Sequence, residues 1–164
     1  MTTTPLHPLV RAPRLVAVVN PLVSRLMRAG LRLGPNVLLT VRGRTSGLDR
    51  TFPVALLEHR GGMFVQSPYG EVNWVRNLRA DGRATLARGA SRVEVEAVEL
   101  GPEAAEPILR ATLAPYQAHR LTAAFARRFI PLGPGDSREV YIEHVRRHAV
   151  FELRPLAPAQ GSAG

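Results

Sequence analysis

The middle of the chain alternates apolar and polar residues with a period of two, and glycine-containing turns interrupt this alternation. The pattern is typical of antiparallel β-strands that bury one face and expose the other. It predicts strands over residues 37–41, 51–58, 63–66, 83–88, 91–100 and 149–153. In the strand over 91–100, Glu94, Glu96 and Glu99 lie among apolar residues and predict a solvated face. The fold must therefore be built around hairpins.

Apolar residues at helical spacing surround these strands. They predict helices over 21–33, 71–80, 103–112 and 119–128, a loop over 131–136, and a helical or mixed segment that ends at Arg147. Hairpins flanked by helices favour an α+β domain built around an antiparallel sheet or barrel. The expected organisation is a flexible arm over 1–19, a single domain over 20–155 and a disordered tail over 156–164.

The composition excludes several kinds of active site. The 164 residues include no cysteine, which excludes a disulfide framework, a thiolate metal site and a cysteine nucleophile. All 22 basic residues are arginine, which excludes a catalytic lysine and a phosphate loop that ends in lysine. The apolar run over 15–19 is too short to cross a membrane, and residues 1–20 lack the pattern of a signal peptide. The expected location is the cytoplasm.

The densest polar segment runs from Thr40 to Arg50. It combines three arginines and two glycines with the two hydroxyl side chains of its turn: Arg42, Arg44, Arg50, Gly43, Gly47, Thr45 and Ser46. Guanidinium groups bind phosphate and carboxylate in bidentate fashion, and glycines let backbone N–H groups approach a ligand. The segment therefore predicts a site for a phosphate or for several carboxylates. A solvated hairpin end with scattered arginines is the alternative interpretation.

Two blocks of sequence carry a resemblance to a known family. Residues 43–53 have the pattern Gly-Arg-x-Ser-Gly-x-x-Arg-x-x-Pro after an apolar strand, and residues 74–81 have the pattern Trp-x-x-Asn-Leu-x-Ala-Asp. In this order and spacing, with Phe64–Ser67 between them, the blocks resemble the deazaflavin-dependent nitroreductase family, which uses coenzyme F420. The correspondence covers residues 36 to about 100 and extends more loosely to Leu153.

The resemblance implies a split β-barrel of the flavin-reductase type, with about six antiparallel strands and flanking helices, that holds reduced F420 in a groove. It assigns the phosphate and the oligoglutamate tail of the cofactor to the predicted anion site, with Arg42, Arg44, Thr45, Ser46 and Arg50 as ligands. Pro53 and Val54 are expected to line the deazaflavin edge, and Gln66 and Ser67 to contact the ring system. Further contacts are expected from Trp74, which packs beside the cofactor, and from Asn77, which lies near the tail or braces the loop.

The same resemblance implies the reaction. Reduced F420 would pass a hydride to an electron-poor acceptor such as a quinone, an enone or a nitroaromatic, so that the small acceptor and F420 are the expected partners. No protein nucleophile is needed, and the proton comes from water or from a positioned hydroxyl. The candidate catalytic residues are Tyr69, Ser67 and Tyr116, with Tyr141 as another late tyrosine. The loop over 68–73 is shorter than the usual glycine-rich version of the family.

Other functions remain open on the residues alone. A split barrel can instead bind FMN, haem or a fatty acid, or carry F420 without catalysis. The net charge of +9 raises nucleic-acid binding as a remote alternative. The sequence contains no nucleic-acid-binding motif, so we do not expect nucleic acid as a partner. The basic helix over 21–33 suits either contact with an anionic membrane surface or packing against the barrel. Barrels of this kind often form homodimers, so a homodimer is a further option.

A histidine pair raises the question of a metal site. His144 and His148 are four residues apart and share one face of a predicted helix, a spacing that can bind a metal ion. No third ligand is evident, because Glu143 lies on a different face. A solvated helix end and no metal site are therefore expected.

Overall fold

The computed structural model describes residues 25, 36–117 and 130–157. Within these ranges the chain forms six strands: β1 Asn36–Arg42, β2 Asp49–His59, β3 Gly62–Gln66, β4 Arg83–Arg88, β5 Ser91–Glu99 and β6 Val150–Pro155. It also forms three helices: α1 Asn73–Asp81, α2 Pro102–Gln117 and α3 Arg138–Arg147. The predictions for 1–19, 119–128 and 158–164 lie outside the described residues, and so does the helix predicted over 21–33 except for Arg25.

The six strands close into an antiparallel barrel in the order β1-β2-β3-β6-β5-β4. Short turns join β2 to β3 and β4 to β5, and the turn between β2 and β3 places both Arg60 and Gly61 at positive φ, 49° and 79°. This backbone matches the twist of a two-residue hairpin. The predicted α+β fold with a six-stranded antiparallel barrel and flanking helices is confirmed.

Apolar side chains of alternate residues fill the barrel. On β1, Val37, Leu39 and Val41 point into the interior and are each at most 1% exposed. Helix α1 covers one end of the barrel with an apolar face whose residues join the same core: Trp74, Val75 and Leu78. The helix ends at Gly82, which adopts the left-handed conformation (φ 70°) and donates its N–H to the carbonyl oxygen of Leu78.

Helices α2 and α3 form a second layer on the outer face of β2, β3 and β6. Their shared apolar cluster includes residues from both helices and from the sheet: Leu57, Phe64, Ala105, Leu109, Leu113, Leu132, Tyr141, Val145 and Val150. Helix α2 runs five residues beyond the predicted end at 112, through Pro107 and Pro115. The buried stripe of Ala105, Leu109 and Leu113 explains why the helix continues despite these prolines, since packing outweighs intrinsic propensity.

The surfaces of the barrel agree in part with the sequence predictions. Glu94, Glu96 and Glu99 are exposed on β5, which confirms the solvated face. The prediction of a solvated helix end at His144 and His148 is wrong, because both side chains are buried where α3 packs against β3. Within the described ranges, no helix is long and apolar enough to cross a bilayer.

Two leucines test how strongly the barrel core contributes to stability. Leu39 is fully buried in the barrel, whereas Leu48 in the following turn is 63% exposed. We expect Leu39→Ala to lower the free energy of unfolding by about 2–5 kcal/mol, because it leaves a cavity. Leu48→Ala removes the same atoms from an exposed position, and we expect a change within about 0.5 kcal/mol. Urea unfolding of both variants checks this, and equal losses would contradict the assigned core.

Candidate functional site

The turn between β1 and β2, residues 43–48, is closed by its own backbone. The N–H of Gly43 donates to the carbonyl oxygen of Leu48 at 2.8 Å, and the N–H of Gly47 donates to that of Gly43 at 2.7 Å. A Cβ on Gly43 would lie 2.7 Å from Ser46 Oγ, and Gly47 adopts a φ of +65°. The backbone contact of a Cβ on Gly43 with the carbonyl oxygen of Leu48, at 3.0 Å, and the positive φ of Gly47 therefore favour glycine at both positions, and the two backbone hydrogen bonds hold the turn closed.

Two arginines flank this turn. A side chain on Gly47 would come within 3.8 Å of Arg42 Nη2, and one on Gly43 within 3.8 Å of Arg50 Cγ. In the hairpin register Arg42 lies opposite Asp49 and Arg50 opposite Val41. Since side chains alternate along a strand, Arg42 and Arg50 leave opposite faces of the hairpin and approach the turn from its two sides.

A third arginine is fixed by helix α1. The side-chain oxygen Oδ1 of Asn77 accepts two hydrogen bonds from Arg44, one from the backbone N–H at 3.3 Å and one from Nη1 at 3.0 Å. Asn77 is buried, at 4% exposure, because its neighbours on α1 pack into the barrel end. The structure thus brings Arg44 and Asn77 together across 33 residues, and the resemblance had implied this bracing role for Asn77 as one of two options.

The turn is positively charged, and the described part of the chain forms no ion pair with its arginines. Among the described residues, no carboxylate forms an ion pair with Arg42, Arg44 or Arg50, although Asp49 is the register partner of Arg42. Arginines elsewhere do pair with glutamates: Arg79 with Glu71 and Glu99, Arg110 and Arg138 with Glu106, Arg147 with Glu143, and Arg154 with Glu152. The local charge at this turn is therefore available to an anion.

The tip of the turn adds hydrogen-bond donors. Thr45 and Ser46 are exposed, and Ser46 Oγ accepts the backbone N–H of Leu48 at 3.3 Å. Within the part of the chain that the structure describes, the backbone N–H groups of Thr45 and Ser46 have no protein acceptor. Guanidinium and amide donors around one rigid turn suit a phosphate or several carboxylates.

The residues expected at the deazaflavin edge lie on two faces of β2. Val54 is 7% exposed and belongs to the barrel interior, whereas Pro53 lies opposite Leu38 on the outer face. On that outer face Thr40 Oγ1 and Thr51 Oγ1 form a hydrogen bond of 2.9 Å. Adjacent positions in a strand cannot share a face, so Pro53 is the one on the outer side of the barrel.

The remaining candidates lie at the end of β3 and in the following loop. Gln66 and Ser67 are buried, and Ser67 Oγ donates to the carbonyl oxygen of Gly70 at 2.6 Å. Tyr69 is half-buried, and burial raises the pKa of its hydroxyl. Trp74 packs against Phe151 in the barrel core, with ring centroids 6.1 Å apart.

The late tyrosines occupy different surroundings. Tyr141 is fully buried, donates its hydroxyl to the carbonyl oxygen of Gly133 at 3.1 Å and lies under the guanidinium of Arg110 at 4.3 Å. It therefore belongs to the packing of α2 against α3. Tyr116 lies in the last turn of α2, where its side chain is outside the described part of the structure.

One contact of the site escaped the sequence analysis. The side chains of Gln66 and His144 meet, with Gln66 Nε2 and His144 Nε2 2.6 Å apart. The two residues are 78 positions apart, and no spacing rule connects a strand end to a distant helix. In the described residues, no group of three or more His, Asp or Glu side chains could hold a metal ion.

Comparison with known proteins agrees with this geometry. A sequence model of the family described as F420H(2)-dependent quinone reductase matches residues 19–131. No curated protein shows a significant match to the chain.

Two solved structures share the fold. One is an F420-H2 dependent reductase, FDR-A, which is 19% identical, with a TM-score of 0.50 and coverage of 76% of this chain and 100% of that chain. The other is a protein of unknown function from Agrobacterium tumefaciens, which is 18% identical, with a TM-score of 0.52 and coverage of 92% of this chain and 59% of that chain. At these identities the likeness shows the fold alone, whereas the family match covers well over half of the sequence and confirms the resemblance to F420-dependent enzymes. The chain belongs to the F420H(2)-dependent quinone reductase family.

Proposed function

We propose that this chain transfers a hydride from reduced F420 to a quinone, and that the turn over 43–48 binds the phosphate and the glutamate tail of the cofactor. The observation that carries the proposal is the cluster of Arg42, Arg44 and Arg50, which has no carboxylate partner among the described residues. It lies at a rigid glycine turn in a member of an F420-dependent family.

The donors at the turn fit the anionic part of F420. A phosphate and a chain of carboxylates both accept bidentate hydrogen bonds from guanidinium groups. Arg44 is held by two bonds to Asn77 before any ligand binds, so less side-chain freedom is lost on binding. The free N–H groups of Thr45 and Ser46 add donors of fixed direction.

Membership in the family makes the chain an F420-dependent reductase, and the cofactor, when bound, supplies the hydride. The protein contributes binding, orientation and a proton. Reduction of a quinone to a hydroquinone consumes one hydride and one proton, and it breaks no bond to oxygen. Reduction of a nitro group must also release an oxygen atom as water. The quinone therefore makes the smaller demand on the proton donors of the site.

Tyr69 is the proton donor that we favour. Its hydroxyl is half-buried, and burial raises its pKa, so it stays protonated at neutral pH. Ser67 is fully buried and its proton is engaged by the carbonyl oxygen of Gly70, which suits a role in holding the loop. The partial exposure of Tyr69 therefore favours it over the fully buried Ser67.

The choice of acceptor tests the proposed reaction directly. With reduced F420 as the donor, we expect kcat/KM for a simple quinone to exceed that for an enone or a nitroaromatic by about tenfold or more. The reason is that the quinone keeps both oxygen atoms and is protonated on oxygen, whereas a nitro group must lose an oxygen atom and an enone must be protonated on carbon. Steady-state rates with the three acceptor classes, corrected for the reaction without enzyme, give the comparison. A higher kcat/KM for the nitroaromatic would contradict the proposed substrate class.

The arginine turn predicts how the cofactor is bound. We expect Arg44→Ala and Arg50→Ala each to weaken F420 binding about 10- to 100-fold, the range for loss of a hydrogen bond to a charged group. The loss should shrink when F420 lacks its glutamates. Calorimetric titration of each variant with both forms of the cofactor measures this.

A matched control and a coupling test sharpen that prediction. Arg92 is also exposed and has no ion pair among the described residues, but it lies on β5, and Arg92→Ala should leave the Kd within about twofold. Asn77→Ala should weaken F420 binding when it is introduced alone. Added to Arg44→Ala, it should have little further effect, because both substitutions remove the contact between Asn77 and Arg44. Equal losses for Arg92 and Arg44, or fully additive losses for Asn77 and Arg44, count against the assigned site.

The role of Tyr69 predicts a separate effect on turnover. Tyr69→Phe should lower kcat for quinone reduction by about 100-fold, the usual scale for a general acid, and leave the Kd of F420 unchanged. Because burial raises the pKa of Tyr69 above its ordinary value of about 10, the donor stays protonated up to that pH. The activity that depends on it should be lost only as the pH rises beyond this value. A wild-type kcat in Tyr69→Phe would exclude the residue as proton donor.

A further inference from the structure

Two stacked histidines lie in the interior where α3 packs against β3. The rings of His144 and His148 are 4.1 Å apart and nearly parallel, with an angle of 14° between them. Both side chains are less than a tenth exposed, and His144 contacts Gln66. Two buried atoms here have no hydrogen-bond partner among the described residues, His148 Nε2 and Gln66 Oε1. Unsatisfied buried polar atoms are rare and call for an explanation.

The contacts determine where the protons are. His148 Nδ1 lies 3.0 Å from the carbonyl oxygen of His144, and a carbonyl only accepts, so this nitrogen carries the proton. The amide nitrogen of Gln66 only donates, so the His144 Nε2 that it contacts carries none. His144 is therefore neutral in this arrangement, and burial, which lowers the pKa of His148, favours the neutral form of His148 as well. A proton on His144 Nε2 would place two donors against each other, and the contact would persist only if the Gln66 amide turned to present Oε1.

The surroundings disfavour a charge on the stack. Burial lowers the pKa of His148, and the nearby charge of Arg147 lowers it further. Arg147 is itself paired with Glu143 on the same helix. On the side of β3 the neighbour is the neutral Gln66, β6 begins with apolar residues, and the buried acid of α2, Glu106, is paired with arginines. Two imidazolium rings 4.1 Å apart would also repel each other.

The histidine stack is connected to the loop that carries Tyr69. Gln66 begins the segment 66–72, which leads from β3 into α1. The N–H of Ser67 donates to the carbonyl oxygen of Ala149 at 3.0 Å, and a Cβ on Gly70 would lie 3.3 Å from the carbonyl oxygen of Arg147. The segment 66–72 therefore packs directly on the junction between α3 and β6, and the contact between Gln66 and His144 is its side-chain anchor.

We propose that His144 is a positioning residue for the reductase reaction: in its neutral form it holds Gln66, and through Gln66 the segment 66–72 and Tyr69. The proposal rests on the proposed function, because Tyr69 acts as proton donor there. A proton on His144 replaces the acceptor at this contact by a donor, so the contact is lost unless the Gln66 amide turns, and either change rearranges the start of the segment. Turnover should then fall at acid pH, while binding of F420 at the distant arginine turn is unaffected.

Two variants of His144 separate this role from simple packing. In His144→Gln an amide oxygen accepts from Gln66 at any pH, so kcat should be close to wild type at neutral pH and the acidic limb of the wild-type profile should disappear. In His144→Leu no acceptor remains, and kcat should fall about tenfold at every pH, with the Kd of F420 within about twofold. His59 lies at the end of β2, outside this contact, and His59→Gln should keep the wild-type profile.

A spectroscopic readout tests the anchor without any cofactor. Trp74 is the only tryptophan of the chain and lies two residues after the segment 66–72. Between about pH 8 and about pH 5, its fluorescence should change in the wild type and in His59→Gln but not in His144→Gln. If His144→Leu does not fold, His144→Gln decides the question.

The outcomes are distinguishable. An acidic limb or a fluorescence change that persists in His144→Gln overturns the positioning role, and so does a wild-type kcat in a folded His144→Leu. A wild type that neither binds F420 nor reduces quinones overturns the proposed function instead. In that case the pH dependence of Trp74 fluorescence still shows whether His144 anchors the segment.

Discussion

Closure of the barrel is the constraint on which the other features depend. β1 pairs with β2 along one edge and with β4 along the other, so neither edge is open and the strand cannot slide without losing its buried side chains. The turn that follows β1 therefore starts from a fixed point. Pairing of all six strands closes the wall of the barrel but leaves the apolar core accessible at its ends. Helix α1 covers one end with Trp74 and its apolar neighbours. The same helix carries Asn77 to Arg44, so the core packing that completes the barrel also orders the anion site.

The arginines that support the fold and the arginines of the candidate site differ in whether they are paired with carboxylates. Where arginines serve packing, as between α2 and α3, they are matched by the buried Glu106 or by helix neighbours. At the turn over 43–48 the arginines are exposed, and an exposed guanidinium is well solvated, so leaving it unpaired costs little stability. An internal carboxylate at that turn would compete with an anionic ligand for the same donors. Because these arginines have no ion pair among the described residues, although Asp49 lies beside them, their donors stay available to a ligand without endangering the fold.

Sequence reasoning predicted best what depends on local pattern. β4 was predicted with its observed bounds, and β2 begins two residues before its predicted start because hairpin pairing continues from Arg42 to Asp49 beyond the apolar alternation. The arginine turn was identified from its composition. The contact between Gln66 and His144 was not, because it joins a strand end to a helix across 78 residues. Burial of His144 and His148 likewise depends on how α3 packs against β3. The residue pattern of α3 alone does not determine that packing.

Helix α1 links two polar networks that are separate in the sequence. At its N-terminal side the segment 66–72 rests on α3 and β6 through Ser67 and Gly70. Toward its C-terminal side Asn77 holds Arg44, and Arg79 forms a bidentate pair with Glu99 of β5. With its apolar face sealed into the barrel, a helix of nine residues has little freedom to tilt at one end alone. We therefore expect that loss of a contact to the segment 66–72 changes the conformation of the loop around Tyr69. The position of Arg44, which is bonded to Asn77 of α1, is expected to stay the same.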